Sequence, residues 1–196
     1  MALSVESGRS TVDSESPAAD GALIEAALVR PEAFGLLYQR YMPRVYRYVS
    51  TLTASSDEAA DVTQQTFIKA MSALSTYRAG RASFSAWLLR IARNAAFDAH
   101  RRRRPSVRWD TLAGLVVEAG CESPEALVLK QERLTRLRAL VQDIDPAKRE
   151  LLALRFAAGL TSREIGAVVG KSEGAVKKQL FRIIASLKEH YLEEPN

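Results

Sequence analysis

The stretch TSREIGAVVGKSEGAVKKQLFRIIASL, residues 161–187, decides how the C-terminal part of the chain folds. Thr161 and Glu164 stand at capping-box spacing, so a short helix is predicted to start here, with Ile165, Val168 and Val169 as its inward face. Gly166 is small where a second helix must cross closely, and Gly170 suits a left-handed turn residue. Ser172 can cap a second helix, whose Val176, Leu180, Ile183, Ile184 and Leu187 are predicted to face inward.

The other face of that second helix carries Lys177, Lys178, Gln179 and Arg182. Basic and amide groups without an excess of acids, on a helix braced by a short crossing helix, have the geometry of a helix-turn-helix that enters the DNA major groove. An ordinary helical hairpin with a solvated charged face would show the same periodicity. The in-register combination of Gly166, Gly170 and Val176 favours the DNA-binding form. Within this face, Gln179 and Arg182 have the planar groups that bidentate base contacts need.

Working outward, the rest of the chain also reads as helical. The 196 residues are 47% hydrophobic with a formal charge of +5, enough for one core or two small ones and in keeping with an anionic partner. Positive charge gathers in two patches, Arg90, Arg93, Arg101 to Arg104 and Arg108, then Lys171, Lys177, Lys178, Arg182 and Lys188. Residues 1–19 are Ser-rich without apolar period and are expected to be a disordered tail. A helical pattern starts at Asp20, and Pro43 within it implies a kink or break. Ser55 and Glu58 open another helix; Ser83 caps a third that carries Phe84, Trp87, Leu88 and Ile91 and stops before Pro105. Residues 105–126 lack periodicity and read as a linker. Beyond it come one helix through Ile144, then an Asp145-Pro146 start for the next, with Leu151, Leu154 and Phe156 as apolar positions and an end at Gly159. The expected architecture is all-α, with two small helical domains at 20–104 and 127–192 joined by a flexible linker.

Cys121 is the sole cysteine, which excludes an internal disulfide framework and fits a reducing cytoplasm. No signal-peptide pattern or membrane-length apolar run is visible, so the chain is expected to be cytoplasmic and not inserted in a membrane. His100 and His190 are the only histidines, no phosphate-binding loop motif occurs, and the acids fall on solvated faces. That argues against an enzyme, a metal site or a cofactor.

Two further segments carry a resemblance. DEAADVTQQTFIKA (57–70), followed by FSAWLLRIARN (84–94) and DAHRRRR (98–104), is similar to the sigma-2 domain of bacterial extracytoplasmic-function (ECF) sigma factors, of the sigma-70 family. The segment RELLALRF (149–156) through Leu187 resembles the sigma-4 domain of the same family.

The resemblance implies an RNA polymerase sigma factor whose partners are core RNA polymerase, at the β′ clamp helices and β flap, and promoter DNA, with an anti-sigma factor as a further partner. It places clamp-helix contacts on Asp61, Gln64, Gln65 and Phe67. Minus-10 contacts fall on Arg90, Arg93, Asn94, Asp98, Arg101 and Arg102, with the loop 77–83 beside Asn94 reading a flipped base. Minus-35 contacts fall on Arg163, Ser172, Lys177, Lys178, Gln179, Phe181 and Arg182. Lys178-Gln179 stands where many relatives carry a Ser-Arg pair, so the minus-35 sequence is not inherited. GLTSREI (159–165) also resembles the LuxR-type helix-turn-helix, which keeps a stand-alone regulator as the alternative. Such regulators usually add a receiver or ligand domain, and no alternating strand and helix pattern exists here to build one.

Overall fold

The computed structural model describes residues 17–102 and 124–193. Among the described residues every regular element is helical: α1 (Pro17–Val29), α2 (Phe34–Ser50), α3 (Ser56–Ala73), α4 (Phe84–Arg102), α5 (Pro124–Gln142), α6 (Pro146–Leu152), α7 (Ser162–Val169) and α8 (Glu173–Glu193). Short 3-10 turns at Pro31–Ala33 and Leu74–Thr76 and a π turn at Ala153–Ala157 complete the order. Residues 1–16, most of the expected tail, and 103–123, most of the expected linker, lie outside the described residues. The helices at their edges begin earlier than the periodicity suggested, α1 at Pro17 and α5 at Pro124.

The first half is built on α2. Leu37, Tyr41, Val45, Tyr48 and Val49 recur at helical spacing and are all buried, against Ala59, Val62 and Ala70 of α3 and Leu88, Ala92 and Ala95 of α4. Tyr41, Tyr77, Phe84 and Trp87 form a chain of edge-on and tilted rings with centroids 5.2 to 5.6 Å apart, which seats the start of α4. Asp20 on α1 is buried and accepts from Tyr41 Oη and Arg40 Nη1, so α1 is fastened to α2 by a satisfied carboxylate.

Of the kink or break that Pro43 implied, the break does not occur: α2 runs through it to Ser50. The proline and Gln39, whose carbonyl loses its usual N–H partner, are both exposed, so solvent can satisfy the carbonyl.

In the second half Asp145 caps α6 by accepting from Ala147 N and Lys148 N, with Pro146 in the first turn. The π turn inserts an extra residue before the chain bends at Gly159. It carries Leu154 into the core and leaves Phe156 at 60% exposure. Leu151, Leu154, Leu160, Ile165, Val168, Val176, Leu180 and Ile183 then close a core beneath α8, while Ile184, expected inside, is 44% exposed. Arg136 of α5 donates to Tyr191 O at 2.7 Å and stacks on the Tyr191 ring, tying α5 to the end of α8.

Candidate nucleic-acid interface

The turn between α7 and α8 is fixed by local chemistry. Thr161 and Glu164 form a full capping box, with Thr161 Oγ1 accepting from Glu164 N at 3.3 Å and Glu164 Oε2 from Thr161 N at 2.9 Å. Gly170 takes φ +73, and a Cβ on Gly166 would sit 2.5 Å from Lys171 O. Gly166 is therefore needed for the approach of the turn backbone rather than of the second helix. Ser172 Oγ accepts from Ala175 N and starts α8.

With Val176, Leu180 and Ile183 buried, α8 presents Lys177, Lys178, Phe181 and Arg182 to solvent. Phe181 is 75% exposed, an unusual position for a large ring on a helix otherwise packed through its apolar face. Lys171 Nζ donates to Gln179 Oε1 at 3.0 Å, which leaves the Gln179 NH2 as its outward donor. Lys177 pairs with Glu173 at 2.6 Å, and this hydrogen bond lowers the Glu173 carboxyl below its ordinary value. Both side chains are so exposed that the pair is weak and a phosphate can replace the acid. Arg163 is exposed on α7.

On α4, Arg90, Asn94 and Arg101 are exposed along one side. Asp98 joins them but is engaged by Arg101 and by Lys69 Nζ at 3.8 Å. Arg102 is the last residue of the helix. Trp87 is buried in the aromatic chain, which agrees with a packing role. Arg93 departs from the expectation of a free DNA-facing cation: its Nε and Nη2 both engage the carboxylate of Glu150, the latter at 3.1 Å.

On α3, Asp61, Gln64 and Gln65 are exposed on neighbouring turns, as their spacing predicts. Phe67 is not with them. It is 4% exposed and packs edge-on against Phe34 and Tyr38, so its aromatic ring belongs to the core. Ile68, at 59% exposure, takes the surface position that continues the Asp61, Gln64 and Gln65 side. Its signal was present in the sequence, since 61, 64, 65 and 68 follow helical spacing and 67 falls with Val62 and Ala70 on the opposite side.

The two halves also touch each other, which periodicity does not reveal. Glu150 of α6 is buried, bound by Arg93 and by Tyr48 Oη at 3.4 Å. The hydrogen bond that Arg93 itself donates to Glu150 raises the Arg93 pKa further, whereas burial, with the Glu150 charge second, pushes the Tyr48 hydroxyl well above its ordinary value. Arg44 reaches the carbonyls of Ala158 and Gly159, and Arg47 that of Ala157. Ser83 and Ser85, at the start of α4, donate to Glu164 Oε1 at 2.6 and 3.0 Å. Burial pushes the Glu164 carboxyl up, but these hydroxyls and the Thr161 cap outweigh it and hold the group below its ordinary value. Between the halves lies a cleft of about 420 Å³, lined by Leu52, Arg93, Ala96, Phe97, His100 and Pro146 among others. No group of His, Cys, Asp and Glu suited to hold a metal occurs among the described residues.

A helical bundle followed by a helix-turn-helix whose reading helix is basic outside and apolar inside defines a DNA-binding protein of two helical domains. Two segments match known families: residues 37–105 match sigma-70 region 2 and residues 134–187 match sigma-70 region 4. The chain is 33% identical over 181 residues to the ECF RNA polymerase sigma factor BldN of Streptomyces coelicolor, covering 91% of this chain and 68% of that protein. It is 35% identical over 159 residues to the ECF RNA polymerase sigma-E factor of Escherichia coli K12, covering 77% and 82%. Among solved structures, CnrH in complex with the cytosolic domain of CnrY superimposes with TM-score 0.64 at 27% identity, covering 89% of this chain and 97% of that one. The sigma factor RpoE of Bartonella quintana, solved with the anti-sigma factor NepR, shares the fold with TM-score 0.59 at 21% identity, over 83% and 98%. The chain belongs to the ECF sigma factors of the sigma-70 family, non-enzymatic initiation factors that direct core RNA polymerase to promoters. Matches to both regions, in order, leave the stand-alone regulator without support.

Proposed function

We propose that this sigma factor grips its promoter at two points, with α8 reading the minus-35 duplex and α4 capturing the melted minus-10 strand. The observation that carries the reading is the outward face of α8, where Lys177, Lys178, Phe181 and Arg182 all reach solvent while the opposite face is buried. Arg182 and the Gln179 amide suit base edges, and Phe181 suits a thymine methyl. Lys177, Lys178, Arg163 and Ser172 suit phosphates. Arg90, Asn94, Arg101 and Arg102 form the corresponding set on α4, Asn94 able to donate and accept at an unstacked base. Asp98 positions Arg101 rather than meeting DNA itself.

The polymerase-binding surface is Asp61, Gln64 and Gln65, with Ile68 in place of Phe67. An acid, two amides and an exposed aliphatic side chain suit a protein interface. The working units are the first half through α4 and the second from α5 onward. The β flap is the contact of the second unit, and an anti-sigma factor is a further partner, as it is for the Bartonella quintana RpoE. The site of action is the cytoplasm, and no catalytic step, metal or cofactor is required. Among the described residues no helix is long and apolar enough to cross a membrane.

The test is reconstitution with core RNA polymerase on promoter DNA. Promoter-specific initiation is expected, with Lys177→Ala and Arg182→Ala weakening duplex binding but not core binding. Equal loss of both activities would reject the assignment of α8.

A further inference from the structure

The contact between the halves concentrates on three cations, of which only Arg93 is among the expected minus-10 contacts. Arg44 and Arg47 lie on α2, one helical turn apart, and Tyr48 beside them shares the Glu150 carboxylate with Arg93 of α4. All three guanidinium groups therefore face one patch of the second half. That patch consists of a carboxylate and three consecutive backbone carbonyls, those of Ala157, Ala158 and Gly159, at the end of a π turn. Carbonyls at a helix end carry partial negative charge, and with Glu150 they make an anionic surface of fixed shape. Guanidinium forks that satisfy such a surface are equally suited to phosphate oxygens.

Glu164 adds a second point of contact. Its Oε1 accepts from Ser83 and Ser85 at the N-terminal end of α4, while Oε2 completes the capping box of α7. One carboxylate thus starts the helix-turn-helix and holds it against the loop that precedes α4. In this arrangement Arg93 and the entrance to α4 are partly covered by the second half.

We propose that the second half acts as a phosphate surrogate: Glu150 and the 157–159 carbonyls engage a strip formed by Arg44, Arg47 and Arg93, and when the halves part this strip binds the phosphate backbone of single-stranded DNA. The inference rests on α4 being a single-strand-binding helix, and it adds Arg44 and Arg47 of α2 to that surface. In the closed arrangement Arg93 is paired with the Glu150 carboxylate, and Arg44 and Arg47 are held by backbone carbonyls, so phosphate oxygens compete with these partners.

The test uses the full chain carrying Cys121→Ser, with dye pairs on Ser72→Cys and Glu189→Cys, both exposed and on separate halves. Glu150→Gln with Glu164→Gln keeps side-chain size and the Glu/Gln capping-box requirement, and unchanged helical circular dichroism confirms folding. The dye separation should lengthen, and affinity for a fluorescein-labelled single-stranded oligonucleotide of mixed sequence should rise about tenfold at low salt. Adding Arg44→Ala and Arg47→Ala to the opened protein should cut that affinity and flatten its log-log salt slope by about 1.4, the loss of two single-strand phosphate contacts. An unchanged separation, or an opened protein whose affinity and slope ignore Arg44 and Arg47, overturns the proposal. If promoter-specific initiation by the unaltered chain persists alongside either result, the surrogate alone has failed. Loss of that initiation would instead overturn the reading beneath it.

Discussion

Gly166 shows how much one hydrogen atom can decide. A methyl group there would meet the Lys171 carbonyl oxygen at 2.5 Å, and backbone cannot swing aside as a long side chain can. Gly166→Ala should lower stability by about 1 to 3 kcal/mol, the usual cost of overpacking, read as a shift of the denaturation midpoint. Lys177 is a residue of the opposite kind, exposed and weakly held by Glu173. Lys177→Ala should leave the midpoint unchanged and reduce the log-log salt slope of duplex binding by about 0.9, one phosphate contact. At this scale the sequence was readable wherever a residue's role is local. The Thr161 and Glu164 box, the Ser172 cap and the Asp145-Pro146 start all depend on neighbours within a few positions. Phe67 was not readable in the same way, because a motif shared with relatives does not say which side of α3 faces out, whereas the helical spacing of Val62 and Ala70 does.

For the elements, what matters is which face each helix has left to offer. The side of α3 that carries Asp61, Gln64, Gln65 and Ile68 stands clear of the core. Asp61→Ala with Gln65→Ala should weaken binding to core RNA polymerase while the helical circular dichroism stays as it was; a loss of helicity would mean these residues hold the fold together. On α4 the exposed Asn94 should govern base choice, so Asn94→Ala is expected to relax the tolerated minus-10 base without altering the minus-35 preference. Periodicity found the long helices of the described residues, but not that α2 continues through Pro43 or that Phe156 lies at the surface. Pro43 is tolerated because its lost hydrogen bond lies on a wet face, and Phe156 is displaced by a π turn that has no signature in a 3.6-residue pattern.

Across the whole molecule, the sequence offered little on how the two halves meet. Glu150 is the one hint in hindsight: an acid immediately before Leu151 and Leu152, buried with them and thus in need of a partner from elsewhere. That partner, Arg93, lies 57 residues away in the chain. The Glu164 contact gives the join a pH dependence with a definite sign. Its carboxyl sits below the ordinary value of 4.5, so the stabilisation it provides is present above that value and is lost as pH falls through the depressed one. Thermal midpoints should therefore drop as acid is added from about pH 5 downward, and Glu164→Gln should blunt the drop.

The most direct measurement is in vitro transcription with core RNA polymerase on a library of genomic fragments, with start sites read out for the unaltered chain, for Lys177→Ala with Arg182→Ala, and for Asn94→Ala. Starts from the unaltered chain should lie downstream of one shared pair of elements, the double variant should lose dependence on the minus-35 element alone, and Asn94→Ala should change the base tolerated in the minus-10 element alone. Starts scattered without shared elements, or variants that disturb both elements together, would contradict a grip divided between α8 and α4.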